Sequence, residues 1–432
     1  MSKMTRKMKD SGIEWIGEIP EEWNLVKGKY LFKLRTTKGN TKNVQLLSPT
    51  QNFGVIPQEL YEKLTGMRPV KLKSDADLQQ MRTIYKGDYC ISLRSFQGGF
   101  EYSKYDGVVS PAYQVFYPYK KINSTYYRYL FKNSSFIQKI NSFTMSLRDG
   151  KNIAFSDFGN IDIPFPTFVE QNKIAKFLDK KISEINQTFQ AIQQEIDALE
   201  EYRKSLITET VTKGLDKNVP MKDSGIEWIG EIPENWKVEK LKYLVETRES
   251  KILLSDVQYS YIGLENIEKN TGKYISTDST YENQYYNFCE KGDILYSKLR
   301  PNLSKAIIAP FAACCTGEFE VIKSTKLHKK YILYYLLSNY VTDATNAAIY
   351  GTKMPRVSWN YVKNLRVVFP NQSEDQIKIV NYLDKKLTII DQIVRQKQQQ
   401  LNHLDKYKQS IIYEYVTGKK QVPEKEGVKN AQ

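Results

Sequence analysis

Apolar residues recur at alternating steps of four and three along a stretch that contains neither glycine nor proline. The stretch runs from residue 170 to about residue 212. The positions with this spacing are Leu178, Ile182, Ile185, Phe189, Ile192, Ile196, Leu199 and Leu206, with Arg203 in one slot. A heptad stripe predicts one long helix, of roughly 63 Å at 1.5 Å per residue. A helix this long needs a partner helix to cover its apolar stripe.

The same stripe occurs again 205 residues further along the chain. Its positions are Leu383, Leu387, Ile390, Val394, Lys397, Leu401, Leu404, Lys408 and Ile411. We therefore predict that the two helices pack on each other as an antiparallel coiled coil. The residues expected at this packing surface are Leu178, Ile182, Ile185, Phe189, Ile192, Ile196 and Leu199 on the first helix, and Leu383, Leu387, Ile390, Val394, Leu401 and Leu404 on the second.

A sixteen-residue cassette is also repeated. Residues 8–23 read MKDSGIEWIGEIPEEW and residues 221–236 read MKDSGIEWIGEIPENW, so they differ only at Glu22 and Asn235. A repeat with so long a period indicates duplication of a whole domain. We predict that the tryptophans of the cassettes pack as structural clasps rather than stack on bases; they are Trp15, Trp23, Trp228 and Trp236.

Short runs of aromatic and β-branched residues, separated by Gly, Pro, Asn and Ser clusters, fill 27–168 and 237–370. This pattern predicts α/β domains with many short strands, and it predicts a helix over 124–140. The predicted fold class is mixed α+β: two α/β domains joined by two long antiparallel coiled-coil helices, with an internal pseudo-twofold repeat. The predicted boundaries are 1–168 for the first domain, 169–215 for the central helix, 216–370 for the second domain, 371–418 for the last helix and 419–432 for a disordered tail. The repeat also predicts that residues 416–418 lie near the first cassette, as 211–214 precede the second.

The charge indicates a polyanionic partner. Lys and Arg outnumber Asp and Glu by 64 to 49, a net charge of +15. Residues 1–168 hold 25 basic and 15 acidic side chains, whereas 169–215 hold 7 and 8, so the first long helix is not itself a grip on DNA. Nucleic acid is the favoured partner, and an anionic membrane surface is the alternative that charge alone leaves open.

The composition also sets an expected compartment. The four cysteines form no CxxC pair, and with only two histidines we expect no zinc site; Cys314 and Cys315 are expected to be interior residues. There is no apolar run of 18 residues and no signal-like h-region, so we expect a cytoplasmic protein without a membrane partner.

Polar side chains on glycine-containing loops are the candidates for contact with bases, because such loops approach base edges closely. In the first domain they are Arg94, Ser95, Gln97, Arg148, Lys151 and Asn152. In the second they are Lys298, Arg300 and Asn302, which follow residues 296–297 at the matched place, and Thr352, Lys353 and Arg356, which lie beside Gly351. The matched placing of the two sets is the reason for choosing them.

Motifs for catalysis are absent from the sequence. There is no GxxxxGK[ST] loop and no Pro-Pro pair of the kind that base methylation uses. The triplet 179–181, Asp-Lys-Lys, recurs at 384–386 at the start of the other long helix, which favours a place on the helix surface over a metal site. A stand-alone DNA methyltransferase or nuclease therefore has no support, and a coiled-coil scaffold without DNA contact is the other alternative.

Several segments closely resemble the specificity subunit of type I restriction-modification systems, the HsdS family. They are SGIEWIGEIPEEW, KGDYCISLR, KGDILYSKLR, the FP lead into EQNKIAKFLDKKI, and TVTKGLDKNVPMKDSGIEW. The resemblance covers nearly the whole chain, although the second helix opens with Ser-Glu-Asp-Gln at 373–376 where the family prefers Glu-Gln.

The resemblance implies two target recognition domains that each read one half of a bipartite, asymmetric DNA sequence. The helix pair would set the spacing of the half-sites and dock two modification (methyltransferase) subunits, with restriction/translocase subunits joining them. The implied subunit is not catalytic. S-adenosylmethionine, ATP and Mg would be bound by the partner subunits, and this chain would hold no cofactor or metal.

Overall fold

The computed structural model describes residues 6–38, 45–67, 80–91, 99–143, 153–253, 260–277, 284–351 and 353–423. The chain forms two compact units. Unit 1 comprises residues 1–190 and 400–432, and unit 2 comprises residues 191–399. Each unit therefore contains one globular part and a portion of each long helix.

The strands of unit 1 are β1 (Met8–Asp10), β2 (Glu18–Pro20), β3 (Asn24–Lys27), β4 (Phe32–Leu34), β5 (Leu47–Thr50), β6 (Gly54–Pro57), β7 (Arg82–Ile84), β8 (Tyr89–Ile91), β9 (Phe100–Tyr102), β10 (Gly107–Val109), β11 (Gln114–Pro118) and β12 (Asp162–Phe165). Its short helices are α1 (Gln58–Thr65), α2 (Ser124–Phe131), α3 (Ser134–Ser142) and α4 (Phe155–Gly159). The long helix α5 (Phe168–Lys213) begins in unit 1 and ends in unit 2.

The strands of unit 2 are β13 (Met221–Asp223), β14 (Glu231–Pro233), β15 (Trp236–Lys240), β16 (Val245–Thr247), β17 (Lys251–Leu253), β18 (Ser260–Ile262), β19 (Tyr285–Cys289), β20 (Ile294–Ser297), β21 (Ala306–Ile308), β22 (Ala313–Cys315), β23 (Phe319–Thr325) and β24 (Arg366–Pro370). Its short helices are α6 (Lys329–Leu336), α7 (Asn339–Ala347) and α8 (Trp359–Val362). The long helix α9 (Ser373–Val416) begins in unit 2 and ends in unit 1.

The main sheets of the two units have the same topology. In unit 1 the strand order is β4-β11-β8-β9, and in unit 2 it is β16-β23-β20-β21, with antiparallel neighbours throughout. A helix follows each sheet, α2 in unit 1 and α6 in unit 2. The mixed α+β class and the internal repeat predicted from the sequence are confirmed.

The helix predicted over 124–140 is interrupted. The structure has two helices there, α2 and α3, separated at Lys132 and Asn133. The Asn133 side chain accepts hydrogen bonds from the backbone N–H groups of Ser135 and Phe136, at 2.9 and 3.3 Å. Because an asparagine that caps a helix start satisfies otherwise unpaired donors, it favours a new helix over continuation of the old one. The prediction of a single helix was wrong for this reason.

Within unit 1, the two long helices run antiparallel. The rings of Phe177 and Tyr415 lie 4.4 Å apart, and Lys408 Nζ donates to Asn186 Oδ1 at 2.9 Å, so contacts move down one helix as they move up the other. Unit 2 shows the same direction, since Arg203 pairs with Asp391 and Glu195 pairs with Lys397. Long helices that pack in this way are consistent with a coiled coil.

Burial along the stripes is uneven. The buried apolar members are Leu178, Ile182, Ile185, Ile196, Leu206, Leu383, Leu387, Ile390, Leu401 and Ile411. The half-buried members are Ile192, Leu199, Val394 and Leu404. Phe189 departs from the expected packing, because 38% of its surface is exposed and the helix is exposed throughout 186–191.

The first cassette closes on the end of α9, as the repeat predicted. Tyr126 donates its hydroxyl to the carbonyl oxygen of Val416 at 2.7 Å. Gly418 has φ +75°, and a Cβ built there would lie 2.5 Å from Pro20. Unit 2 repeats the arrangement, with the Tyr331 hydroxyl on the carbonyl oxygen of Val211 at 2.9 Å. The expected closeness of 416–418 to the cassette is confirmed.

Three of the four cassette tryptophans pack as predicted. Trp23 is fully buried and donates from Nε1 to Glu170 at 2.8 Å, and Trp236 is buried. Trp15 lies edge-on to Phe136, with centroids 5.5 Å apart. Trp228 does not pack in this way: 79% of its surface is exposed. Its sequence context is identical to that of Trp15, so the difference comes from the surrounding unit and not from the cassette.

The Asp-Lys-Lys triplets link the long helices to their domains. Asp179 accepts from the Tyr129 hydroxyl at 2.8 Å and from Arg128 at 2.5 Å, while Asp384 accepts from Tyr334 and, at 2.6 Å, from Lys330. These are structural contacts on the helix surface, as the repetition of the triplet suggested. The cysteines are all buried thiols. Among the described residues, no helix is both long and apolar enough to cross a membrane.

Candidate nucleic-acid interface

Backbone hydrogen bonds bring two candidate loops of unit 2 together. The first loop covers 298–305 and connects β20 to β21; the second covers 348–358 and connects α7 to α8. The backbone N–H of Arg300 donates to Pro355 O at 2.8 Å, and that of Val357 donates to Lys298 O at 2.9 Å. We call these two segments the loop pair. Both loops were predicted separately from the sequence to contact bases, and in the structure they are neighbours.

The first loop makes an unusual turn. Arg300 has φ +49° and ψ 63°, directly before Pro301, and Ser304 has φ +41°. Side chains other than glycine rarely adopt this left-handed conformation, and it costs on the order of 1–3 kcal/mol for each residue. The turn is held by Ser304 Oγ, 2.5 Å from Thr342 Oγ1, and by Ser297 Oγ, which donates to Leu299 O at 2.9 Å. A maintained strain of this kind often marks a functional position.

The second loop is a tight hairpin. The backbone groups of Tyr350 and Arg356 exchange two hydrogen bonds, each of 3.0 Å, and Gly351 between them has φ +84°. Tyr350, in the closing pair, and Met354, between the paired residues, expose 57% and 49% of their surfaces. An aromatic ring and a thioether are therefore presented to solvent beside the basic residues.

The candidate side chains of the loop pair fall into two groups. Arg300, Asn302 and Lys353 are exposed, and within the described part of the chain their side chains have no hydrogen-bonding partner. Arg356 and Lys298 are instead held by acidic residues. Arg356 forms two hydrogen bonds with Glu318, at 2.6 and 3.1 Å, and Lys298 Nζ lies 3.2 Å from Glu320.

These acidic partners are functional candidates that sequence reasoning missed. Glu318 directly precedes β23 and Glu320 is its second residue, and both are half-buried. Hydrogen bonding to Arg356 holds the pKa of Glu318 below its ordinary value, so this carboxylate is ionised at neutral pH. The alternation of two glutamates was the available signal, but the sequence does not show which cations face them.

The remaining candidates lie outside the described residues. They are Arg94, Ser95, Gln97, Arg148, Lys151, Asn152 and Thr352. Their flanking elements are described, however. Residues 92–98 connect β8 to β9, as the first loop connects β20 to β21, and residues 144–152 connect α3 to α4, as the second connects α7 to α8. The two candidate sets therefore occupy the same connections of the repeated fold, while the roles of the individual residues stay predictions.

A cleft lies between the globular part and the helix pair in each unit. In unit 1 it measures about 680 Å³ and is lined by Arg128, Lys132 and Lys408 together with Glu101 and Asp179. In unit 2 it measures about 510 Å³ and includes Arg203, Lys273, Asp391 and Arg395. Within the described residues, no group of histidine, cysteine or acidic side chains could hold a metal ion.

The protein-family model "Type I restriction modification DNA specificity domain" matches residues 20–198 and 233–403. The two matches together cover more than half of the chain. The chain belongs to this family. Each copy of the specificity domain contains one main sheet and one set of candidate loops.

Individual relatives agree with this membership. The chain is 28% identical over 300 residues to the type I restriction enzyme MjaVIII specificity subunit of Methanocaldococcus jannaschii, a match that covers 64% of this chain and 67% of the relative. It is 23% identical to the EcoDI specificity subunit of Escherichia coli, with 92% and 88% covered. A solved structure concerned with complex assembly and conformational transition of the type I R-M system contains a chain of the same fold. That chain is 13% identical, with a TM-score of 0.67 over 92% of this chain and 98% of its own length.

Proposed function

We propose that this chain is the DNA-specificity subunit of a type I restriction-modification complex. Each specificity domain reads one half of a bipartite, asymmetric DNA target. The observation that carries the proposal is the double occurrence of the specificity domain with its candidate loops on equivalent connections of the fold. A chain with two different readers recognises two different half-sites.

The side chains of the loop pair suit base readout. Exposed Arg300 offers a planar group with five N–H donors, and exposed Asn302 offers both a donor and an acceptor. Arginine pairs with the O6 and N7 acceptors of guanine, and asparagine pairs with adenine, in the major groove. The surrounding excess of basic side chains attracts the phosphate backbone, which supplies affinity that does not depend on sequence.

The long helices are the proposed ruler and docking site. Two methyltransferase subunits bind the helix pair and restriction/translocase subunits join them, in a complex that acts in the cytoplasm. The half-sites are expected about one turn of DNA apart, roughly 34 Å. The chain itself is not catalytic in this proposal. S-adenosylmethionine, ATP and Mg are bound by the partner subunits, where a flipped adenine is methylated.

The direct test is to sequence methylated adenines in DNA from cells that produce this chain with its partner subunits. We expect one bipartite motif with two different half-sites. Methyl transfer or DNA cleavage by the purified chain alone would support the stand-alone enzyme instead. If the chain neither binds DNA nor directs methylation in the complex, the coiled-coil scaffold is the better description.

Arg300→Ala tests one reader. We expect the complex to lose roughly 1–3 kcal/mol of discrimination at a single base pair, because a base contact acts only there. Binding to a set of targets with single substitutions measures this. Arg148→Ala is the test of the first domain, on the connection that corresponds to the second loop of the loop pair. Arg395→Ala, an exposed arginine on α9, is the control and should leave base preference unchanged. A uniform loss of affinity across all targets would mark Arg300 as a phosphate contact.

A further inference from the structure

Arg356 is held along one side of its guanidinium group. Its Nε donates to Glu318 Oε2 at 3.1 Å and its Nη2 donates to Glu318 Oε1 at 2.6 Å. This side-on arrangement uses two of the five N–H donors that a guanidinium carries in one plane. The donors at the far end of the group, one from each terminal nitrogen, are not engaged by the carboxylate.

The backbone fixes both members of this pair. The N–H of Lys298 donates to Glu318 O at 2.9 Å, so Glu318 is tied to the first loop. Arg356 is bridged to Leu299 of the same loop and to Tyr350 of its own hairpin. The carboxylate and the guanidinium are thus attached to one small framework, which fixes the plane of the guanidinium relative to the loop pair.

A side-on pair elsewhere, within unit 1, shows a different use of the same geometry. Arg35 donates from Nε and Nη2 to Asp88 at 2.7 and 3.0 Å. Its guanidinium is covered by the rings of Tyr85 and Tyr117, at 4.7 and 4.4 Å, and only 18% of its side chain is exposed. Arg35 is therefore enclosed. Arg356 keeps 36% of its side chain exposed, among the exposed residues of the loop pair.

We propose that Arg356 reads a guanine in the half-site of unit 2 and that Glu318 is the positioning residue that orients it. The end of the guanidinium matches the two acceptors, O6 and N7, that guanine presents in the major groove. Glu318 holds the group in the required plane before DNA arrives, so less conformational freedom is lost on binding. This inference rests on the proposed function and adds a base and a pair of residues to it.

The test uses the complete complex with its partner subunits, after the methylated motif of the unchanged protein has been determined. Methylation of targets substituted at each position of the motif is measured for Arg356→Ala, Arg356→Lys and Glu318→Ala. Arg356→Ala and Arg356→Lys should both lose about 5- to 150-fold preference for guanine at one position, because a lysine lacks the planar fork. Glu318→Ala should weaken the same preference at the same position by a smaller factor.

A double variant separates positioning from a general structural role. Glu318→Ala added to Arg356→Ala should change the preference no further, since Glu318 acts through Arg356. Glu246→Gln, which alters the ion pair with Lys323 of the same sheet, should leave every base preference unchanged. Circular dichroism of each purified variant identifies any that fails to fold, and for such a variant Glu318→Gln and Arg356→Lys supply the measurement.

Two results would overturn the inference. Equal loss of methylation on all targets would make Arg356 a phosphate contact, and an unchanged preference in Glu318→Ala would remove its positioning role. Both leave the proposed function intact, because the unchanged complex still methylates one bipartite motif. Failure of the proposed function is seen earlier and separately, when the unchanged complex shows no motif.

Discussion

At positions related by the 205-residue repeat, each unit has a polar contact between the two long helices, and the two contacts are built from different side chains. In unit 2, Arg203 and Asp391 form an ion pair, and Lys273 from the globular part also binds Asp391. The positions 205 residues away in unit 1 are Lys408 and Asn186, which form one hydrogen bond of 2.9 Å. Arg203 leaves only 4% of its side chain exposed, whereas Asn186 is exposed. The repeat therefore keeps a polar position and varies its charge.

At a second place, where the main sheet meets the following helix, it is unit 1 that has the ion pair and unit 2 that has apolar side chains. In unit 1, Glu101 on β9 pairs with Lys132 at 2.6 Å. In unit 2 the matching residue of β21 is Ile307, which lies opposite Leu295 as Glu101 lies opposite Cys90. The residue that matches Lys132 is the buried Leu337, directly after α6. Each unit thus carries one buried charge pair at a layer where its counterpart has none. A buried ion pair adds little net stability, whereas the loss of one partner is costly because the other charge is left uncompensated.

The largest effect should follow from giving unit 2 the side chain that unit 1 carries. Asp391→Asn removes the charge that faces both Arg203 and Lys273, so the buried guanidinium is left without a carboxylate. We expect unit 2 to lose about 3–5 kcal/mol of unfolding free energy. Denaturant unfolding of the whole chain, with hydrogen exchange at the amides of 383–399, measures the loss and places it.

Asp405→Asn is the matched control for this change. Asp405 is exposed on the same helix and accepts from Gln409 at 2.8 Å. Its replacement should change the unfolding free energy by no more than about 0.5 kcal/mol. If Asp391→Asn had the same unfolding free energy as this control, the ion pair of unit 2 would add no more stability than the neutral contact of unit 1. The proposed difference between the two units would then be wrong.

The stripe of apolar residues was sufficient to predict both long helices, because burial along a helix depends on local spacing. It did not identify the ion pair. In the sequence, Arg203 is only a charged residue at an apolar position of the stripe. Its partner, Asp391, lies 188 residues away in the sequence. Pairings between distant segments depend on the tertiary packing, which no local pattern records. The contact between Arg300 and Pro355, which joins the two candidate loops, was beyond prediction for the same reason.

Local context explains the remaining differences. The helix cap at Asn133 could have been predicted from the sequence, since asparagine is favoured at the start of a helix. The exposure of Trp228 could not be predicted from its cassette, because the same cassette in unit 1 has a tryptophan that packs on Phe136. The residue equivalent to Phe136 in unit 2 is the smaller Val341. The repeated sequence predicted the repeated fold well. It could not predict where the two copies differ in their surroundings.

The Glu101 carboxyl should make the stability of unit 1 depend on pH. Burial raises its pKa from 4.5 to about 7 against the lowering effect of Lys132, and one carboxylate oxygen has no hydrogen-bonding partner among the described residues. Between these values the folded state holds a proton that the unfolded state has released. Stability therefore falls as pH rises from about 4.5 to 7, by about 3 kcal/mol in total.

Glu101→Gln, which cannot titrate, tests this dependence. The difference in unfolding free energy between the variant and the unchanged chain should move in favour of the variant as pH rises through that window, and should be constant above it. Unit 2 supplies an internal control, because Ile307 stands at the matching position. A difference that did not vary with pH would mean that Lys132 compensates the carboxylate fully.

The smallest effect should come from giving unit 1 the charge of unit 2. Asn186→Asp places a carboxylate beside Lys408, whose Nζ already lies 2.9 Å from the side-chain oxygen of Asn186. Because Asn186 is exposed, the new ion pair should stabilise unit 1 by only about 0.2–1 kcal/mol, and salt near 1 M should remove the gain. Thermal unfolding at low and high salt measures it, with Asn186→Ala as the variant that lacks the contact. A gain that persists in salt would show that this position is as shielded from solvent as Arg203. The two units would then differ in the charge of these side chains and not in their exposure to solvent.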